Sequence, residues 1–447
     1  MKKHCSLLIE NGTVMTDEKT ISEGMDVAVE DGKILAAVPH GSAEWEAGEV
    51  ISGTDRIVMP GLMDSHMHTG QQLLKGLVLD ARPIIWTRVM LPFESTLTPE
   101  RMKLSAELAA LEMIRCGTTG FVESGSYFME EAAAVYLESG LRGRLSCSTM
   151  DEEGLPESIA MDAKEAVRRA DRLYEDWNGA GNLKVYYSLR ALNSCSDQLV
   201  RLTAEHAEER GAILQAHMNE YQGEVDGIVR REGMRPYEYL EKMGVLSGRF
   251  LGAHSLLLSD REKELVRDRG VMVCHCPFSN CGKAVPETPK LLEMGIVPGF
   301  GSDGAAHAGL NLWNEMRIFR SVMNIFWGVP AGNPAVMPAE TLFRMMYEGG
   351  ARALDEEGRL GKIEAGCHAD LICVDRFSPR LMPSGNKIRT LFECAGPADV
   401  TDVIAGGRVL MKNREILALD EGKILWEARD FEKKMGYSSS ASCSQTA

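Results

Sequence analysis

Hydrophobic and polar positions change rhythm twice along this chain. Residues 5 to 58 hold short apolar runs, CSLLIENGTVMT, DVAVEDGKILAAV and RIVM, separated by the NG and DG pairs that favour tight turns, so the pattern predicts a small β unit. Strand-like runs then alternate with longer stretches whose apolar positions recur every three or four residues. Such a stretch is PERMKLSAELAALEMIRCG, where Gly117 supplies the stop. The runs are IVMPGLMDSH, TTGFVES (118–124), GRLSCST (143–149), LKVYYSL (183–189), AILQAH (212–217), RFLGAH (249–254), VMVCHC (271–276) and IVPGFGSD (296–303). Eight βα units over roughly 300 residues predict a (β/α)8 TIM barrel, a fold of about 250 residues before insertions.

Beyond Ala353 the β pattern returns in LGKIEAGCHADLICVD and VTDVIAGGRVLMKNREIL. Neither terminal β segment is large enough for a core of its own, so the two are expected to pair beside the barrel as a small split β-sandwich domain. The division expected is 1–57 for the N-terminal part, 58–360 for the barrel, 361–420 for the C-terminal part, and 421–447 for a C-terminal helix with a fraying Ser-rich end, SSSASCSQTA.

Composition narrows the function classes. A net charge of −16 without a compensating Lys/Arg cluster argues against nucleic acid and anionic membranes as partners. The start, MKKHCSLLIENG, reaches a polar turn too soon for a signal peptide or a membrane span, which makes a cytoplasmic location the expectation. Eleven cysteines without a CxxC pair read as reduced and buried. In CHC, Cys274 and Cys276 flank His275, but no second pair completes a zinc site.

Catalytic groups in such a barrel sit at the C-terminal ends of the strands, and here those ends are rich in ligands. The first strand ends in His66 and His68, the fifth in His217, the sixth in His254 and the eighth in Asp303, with His275 near the end of the seventh. The HxH spacing puts both imidazoles on one face of a strand. His66, His68, His217 and Asp303 thus offer three nitrogens and one carboxylate to one divalent ion, with a position left for water. Glu220, three residues after His217, is the natural proton carrier, and His254 a hydrogen-bond donor to the attacking water or the forming oxyanion.

These residues lie in PGLMDSHMH, QAHMNE, GAH, HCPFSN and GSDGA, a set that resembles the amidohydrolase superfamily over nearly the whole chain. Within it the chain is similar to the branch with guanine and cytosine deaminases, S-adenosylhomocysteine/methylthioadenosine deaminases and s-triazine hydrolases. Relatives with two metals carry a lysine at the end of strand four, whereas Lys184 lies at that strand's start. The resemblance therefore implies one metal, zinc or alternatively iron(II). It further implies attack of activated water on an amino-bearing ring carbon, with Asp303 accepting the water proton, Glu220 protonating the adjacent ring nitrogen and ammonia leaving. A homo-oligomer is the family expectation.

Three positions bear on the substrate. Glu94 in MLPFEST resembles an element that binds ribose hydroxyls, Arg190 in SLRALNSCS stands where guanine deaminases carry arginine, and Gln71 matches a guanine-binding glutamine. The guanidinium fork suits a ring carbonyl, which sets an oxo-purine or pterin-like ring slightly ahead of a 5'-modified adenosine. The departures are Glu123 where aspartate is frequent, Ala191 where phenylalanine is expected, and His307 in GSDGAAHAG. Alternatives are hydrolysis of another leaving group on a similar ring, opening of a cyclic amide, and, more remotely, a non-catalytic scaffold.

Overall fold

The computed structural model describes residues 2–81, 84–152 and 154–436. The Ser-rich end, with Cys443, lies outside the described residues. Among the described residues the strands form one sheet of nine and two parallel sheets of five.

The terminal segments do pair, in the nine-stranded sheet. It takes Lys3–Met15, Ile21–Glu30, Lys33–Pro39, Trp45–Ser52 and Arg56–Pro60 from the N-terminal side. From the C-terminal side it takes Leu371–Asp375, Val400–Ala405, Arg408–Lys412 and Glu415–Ile416. The halves meet where Arg56–Pro60 runs antiparallel to Leu371–Asp375. At the DG pair, Asp31 and Gly32 both have positive φ and Glu30 faces Lys33, the two-residue hairpin expected. The NG pair, expected as a turn, is instead a kink inside one continuous strand. Asn11 has φ 57°, and the ladder changes partner there: residues 3–10 pair with Trp45–Ser52, Thr13 and Val14 with Ile57 and Val58. One extra residue is what lets a strand bend toward a new neighbour.

IVMPGLMDSH, expected as one strand, is divided between two sheets. Arg56–Pro60 belongs to the nine-stranded sheet and Leu62–His68 to a parallel one, with Gly61 at the crossing. A Cβ on Gly61 would stand 2.1 Å from Thr119 Oγ1, so no side chain fits where the chain passes. The first parallel sheet is ordered Asp303–Gly304, Leu62–His68, Thr118–Glu123, Arg142–Leu145, Lys184–Val185. The second is ordered Tyr187–Ala191, Leu214–Met218, Phe250–His254, Met272–His275, Gly299–Phe300. The fourth and eighth expected strands therefore each contribute to both sheets. Tyr186 N–H donates to Leu145 and Tyr187 N–H to Ile213, while Gly301 N–H donates to His275 and Ser302 N–H to Asp64. GRLSCST is shorter than expected, ending as a strand at Leu145.

Pro99–Cys116 shows why these segments are helical and where they stop. Thr98 caps the first turn through Arg101 N–H, Pro99 occupies the first helical position, and Gly117 leaves in the left-handed region at φ 83°. Its buried face includes Met102, Ala106, Ala110, Met113 and Ile114, in one core with Phe121, Tyr136 and Trp313. The nine-stranded sheet is tied to the parallel strands by a buried ion pair. Arg142 donates from Nε and one terminal nitrogen to Asp370, at 2.9 and 2.8 Å, and Gly406 N–H donates to the same carboxylate. Replacing Arg142 by Met leaves that carboxylate buried and unpaired, which is expected to cost about 3–5 kcal/mol in urea unfolding.

Candidate active site

The C-terminal ends of the parallel strands bring the expected residues together. His66, His68 and His217 offer ring nitrogens that all lie within 4.8 Å of one another, and Glu220, His254 and Asp303 form a second such group. Asp303 Oδ1 stands 3.4 Å from His68 Nε2 and 3.9 Å from His66 Nε2. Asp64 holds the first strand end against the eighth: its carboxylate accepts from His66 N–H, Ser302 N–H and Ser302 Oγ.

The three rings differ in their polar neighbours. Ser124 Oγ donates to the Met67 carbonyl and lies within 3.1 Å of both His68 ring nitrogens, and the Arg190 guanidinium stands 3.4 Å from Nδ1. His68 Nε2 faces His217 Nε2 at 3.1 Å. Both nitrogens of His66 are buried without a partner. Burial pushes the His66 imidazole down to about 3, helped by His254, and holds His68 and His217 well below the ordinary value. All three are neutral donors at pH 7. Burial opposes the charge of Asp303, yet its carboxyl is held well below the ordinary range by the groups around it, among which Lys283 is a full cation. Converging neutral nitrogens, one orphaned imidazole and an anionic oxygen are the donor set of a divalent ion. Cys276 Sγ lies within 4.8 Å of His66 and His254 nitrogens, but burial keeps its thiol protonated, and a thiol is a poor ligand.

His254 packs against the same cluster, its ring centre 5.1 Å from that of His66 and 5.3 Å from that of His217. Cys276 N–H donates to Asn280 Oδ1, which orients the amide so that Nδ2 donates to His254 Nδ1 at 2.9 Å. The proton of neutral His254 is therefore on Nε2, 3.6 Å from Glu220 Oε1 and otherwise unpartnered. Glu220 rides on a loop whose backbone is held by Glu224, which accepts from both Asn219 and Glu220 N–H. Asn219, His254 and Asp303 all have positive φ, at 50°, 65° and 60°. Non-glycine residues in that region concentrate at functional sites, where surrounding contacts hold them.

The remaining candidates sort by position. Gln71 and Arg190 line a cavity of about 470 Å³ together with His68, His217, Glu220 and Asp303. Glu94 ties the first two together: its Oε1 accepts from Gln71 Nε2 at 3.0 Å and from Arg190 at 3.1 Å, and its Oε2 is unpartnered. Arg190 also donates to the Gly125 carbonyl. Glu123 is a loop clamp, accepting from Thr69 N–H, Gly125 N–H and Ser126 Oγ. His275 is satisfied by the His254 carbonyl and Thr288 and is stacked on Phe319, a structural residue. His307 does reach the cavity, 3.9 Å from Asp303 Oδ2.

Sequence reasoning missed Trp86, which lines the cavity near Arg190 and supplies the aromatic surface that Ala191 lacks. It also left Ser279, Asn280 and Lys283 unassigned, although two of them stand in the HCPFSN motif. The cysteines among the described residues are unpaired; most are buried, but Cys281 is exposed and Cys394 half-buried, against the expectation of burial throughout. No helix there is long and apolar enough to cross a membrane.

Known proteins share this architecture over their full length. The chain is 33% identical to a 5'-deoxyadenosine deaminase from Methanosarcina mazei over 95% of this chain and 96% of that one. It is 32% identical to a 5-methylthioadenosine/S-adenosylhomocysteine deaminase from Pelotomaculum thermopropionicum, over 95% and 97%. The solved structure of a zinc-bound adenosine deaminase from Xanthomonas campestris superposes with a TM-score of 0.92 at 29% identity, covering 98% of this chain and 100% of that one. A model of the amidohydrolase family matches residues 57–410, and the chain belongs to that family.

Proposed function

We propose that this protein is a metal-dependent hydrolytic deaminase of an aminated nitrogen heterocycle, with a 5'-modified adenosine as the first substrate class. The observation that carries the reaction is the convergence of His66, His68, His217 and Asp303 beside Glu220 and His254. On this reading the two five-stranded sheets close through the fourth and eighth strands into a (β/α)8 barrel, and the nine-stranded sheet folds over as the sandwich beside it.

His66, His68, His217 and Asp303 would hold one divalent ion, zinc by analogy with the zinc-bound structural neighbour. Such an ion acts as a Lewis acid and lowers the pKa of water from about 15.7 toward 7. Asp303, charged and hydrogen-bonded by Ser279 and Gly304, accepts one proton of the attacking water. Glu220 carries a proton to the ring nitrogen beside the amino-bearing carbon. His254, with its proton on Nε2, donates a hydrogen bond to the incoming oxygen. Water supplies the new carbonyl oxygen; one of its protons ends on the ring nitrogen and the other leaves on ammonia.

The substrate reading rests on what Arg190 is already doing. Its guanidinium is committed to Glu94 and Gly125, so its fork is less available to a ring carbonyl, while Glu94 Oε2 and Gln71 Oε1 are buried acceptors without donors. Of these two, Gln71 lines the cavity, whereas Glu94 lines a neighbouring one and acts through its bond to Gln71; an acceptor there suits a hydroxyl or amino group on the ligand, which agrees with the nucleoside-acting relatives. An oxo-purine or pterin-like ring is the second reading, favoured by the position of Arg190 in the cavity wall.

Purified protein is expected to contain about one divalent ion per chain by elemental analysis, and His66→Ala to lose it. Glu220→Gln should lower ammonia release roughly 10²- to 10⁴-fold while keeping the metal; unchanged turnover would end the mechanism. In a panel of 5'-modified adenosines, adenine, guanine and pterins, the nucleosides should be turned over best. Glu94→Gln should raise their KM roughly tenfold and leave that of the free bases alone.

A further inference from the structure

Lys283 is a cation enclosed in the site that the deamination chemistry leaves without a task. Its side chain is 8% exposed and lines the cavity between Glu220 and Asp303. The ammonium donates to Glu220 Oε1 and to Ser279 Oγ, the latter at 2.7 Å, and lies 5.0 Å from the centre of the Tyr221 ring. Ser279 Oγ in turn donates to Asp303 Oδ2 at 2.5 Å. Three anchors thus surround one nitrogen, and the chain Glu220–Lys283–Ser279–Asp303 links both carboxylates of the site.

We propose that Lys283 is a positioning residue: anchored on Ser279, it holds Glu220 Oε1 and so keeps that carboxylate over the cavity beside His254. This inference rests on the reading of Glu220 as the proton carrier. The geometry explains why a cation is needed rather than a neutral donor. Glu220 starts three residues beyond His217, on a loop entered through Asn219 at positive φ, and its side chain turns back over the cavity toward His254 at 3.6 Å. Without a fixed partner, a glutamate with three rotatable bonds would swing toward solvent, away from the ring nitrogen it must reach. An ammonium already bonded to Ser279 pins one oxygen and leaves Oε2 for the substrate.

The test uses the metal-loaded full chain and the best substrate of the panel. Lys283→Met should lower kcat roughly 10²-fold, leave KM within about threefold, and keep the metal content and thermal midpoint of the parent. Because Lys283 acts through Glu220, the Lys283→Met/Glu220→Gln double variant should be no slower than Glu220→Gln alone, an outcome that a merely structural lysine would not produce. Should Lys283→Met fold poorly, Lys283→Gln, which keeps a donor, replaces it in the same cycle. Wild-type kcat in the lysine variant, or losses that multiply in the double variant, would overturn the proposal. An active Glu220→Gln enzyme would instead show that the assignment of Glu220 is wrong, so the two failures are separate.

Discussion

Asp303 is a carboxylate buried among imidazoles, and it keeps its charge only because that enclosure is lined with groups of the right kind. Burial opposes that charge, while Ser279 Oγ and Gly304 N–H donate to it and the Lys283 ammonium stands among the groups that hold it ionised. The same burial strips the proton from the histidines, His66 and His254 being pushed down to about 3. One physical condition, exclusion of water, therefore prepares both halves of a donor set: neutral nitrogens and an anionic oxygen. A site open to solvent would leave those histidines free to titrate near neutrality and compete with any cation.

Holding such a pocket requires a rigid frame, and the frame is built from hydrogen bonds between protein groups behind and beside the cavity. Asp64 clamps the first strand end to the eighth, Glu123 clamps the loops after the first and second strands, and Glu224 fixes the backbone of the loop that presents Glu220. Asn280 does the most selective work of this kind, because a single amide sets which nitrogen of His254 bears the proton. The positive φ values at Asn219, His254 and Asp303 are sustained by these clamps. Stability and chemistry thus share residues, and a change in the frame is felt at the metal end as well as in the fold.

Much of this was readable along the chain. Period-two alternation at strand ends places His66 and His68 on one face whatever surrounds them, and the alternation of apolar runs with helical stretches names the parallel strands. Local turn chemistry was less dependable: DG made its hairpin, whereas NG became a kink because the strand it interrupts has two successive neighbours. The expected strand IVMPGLMDSH failed at Gly61 for a related reason, since one apolar run serves two sheets and only packing against Thr119 marks the break. Arg190 was assigned to a ring carbonyl from the place of arginine in guanine deaminases and the shape of its fork; that fork meets Glu94, nearly a hundred positions earlier, a partner no local pattern announces.

The sequence by itself determined the kinds of groups available and their rhythm: parallel strands ending in histidines and an aspartate, a glutamate just beyond the fifth, and terminal β segments too small to stand alone. Those follow from backbone periodicity and side-chain chemistry, which are local. Tertiary structure decided the protonation of His254, the pairing of Arg190 with Glu94, the structural fate of His275, and the enclosure of Lys283 between two carboxylates. Each depends on which distant side chain fills the next few ångströms, and on water being excluded there, and neither is encoded in the spacing of residues along a chain.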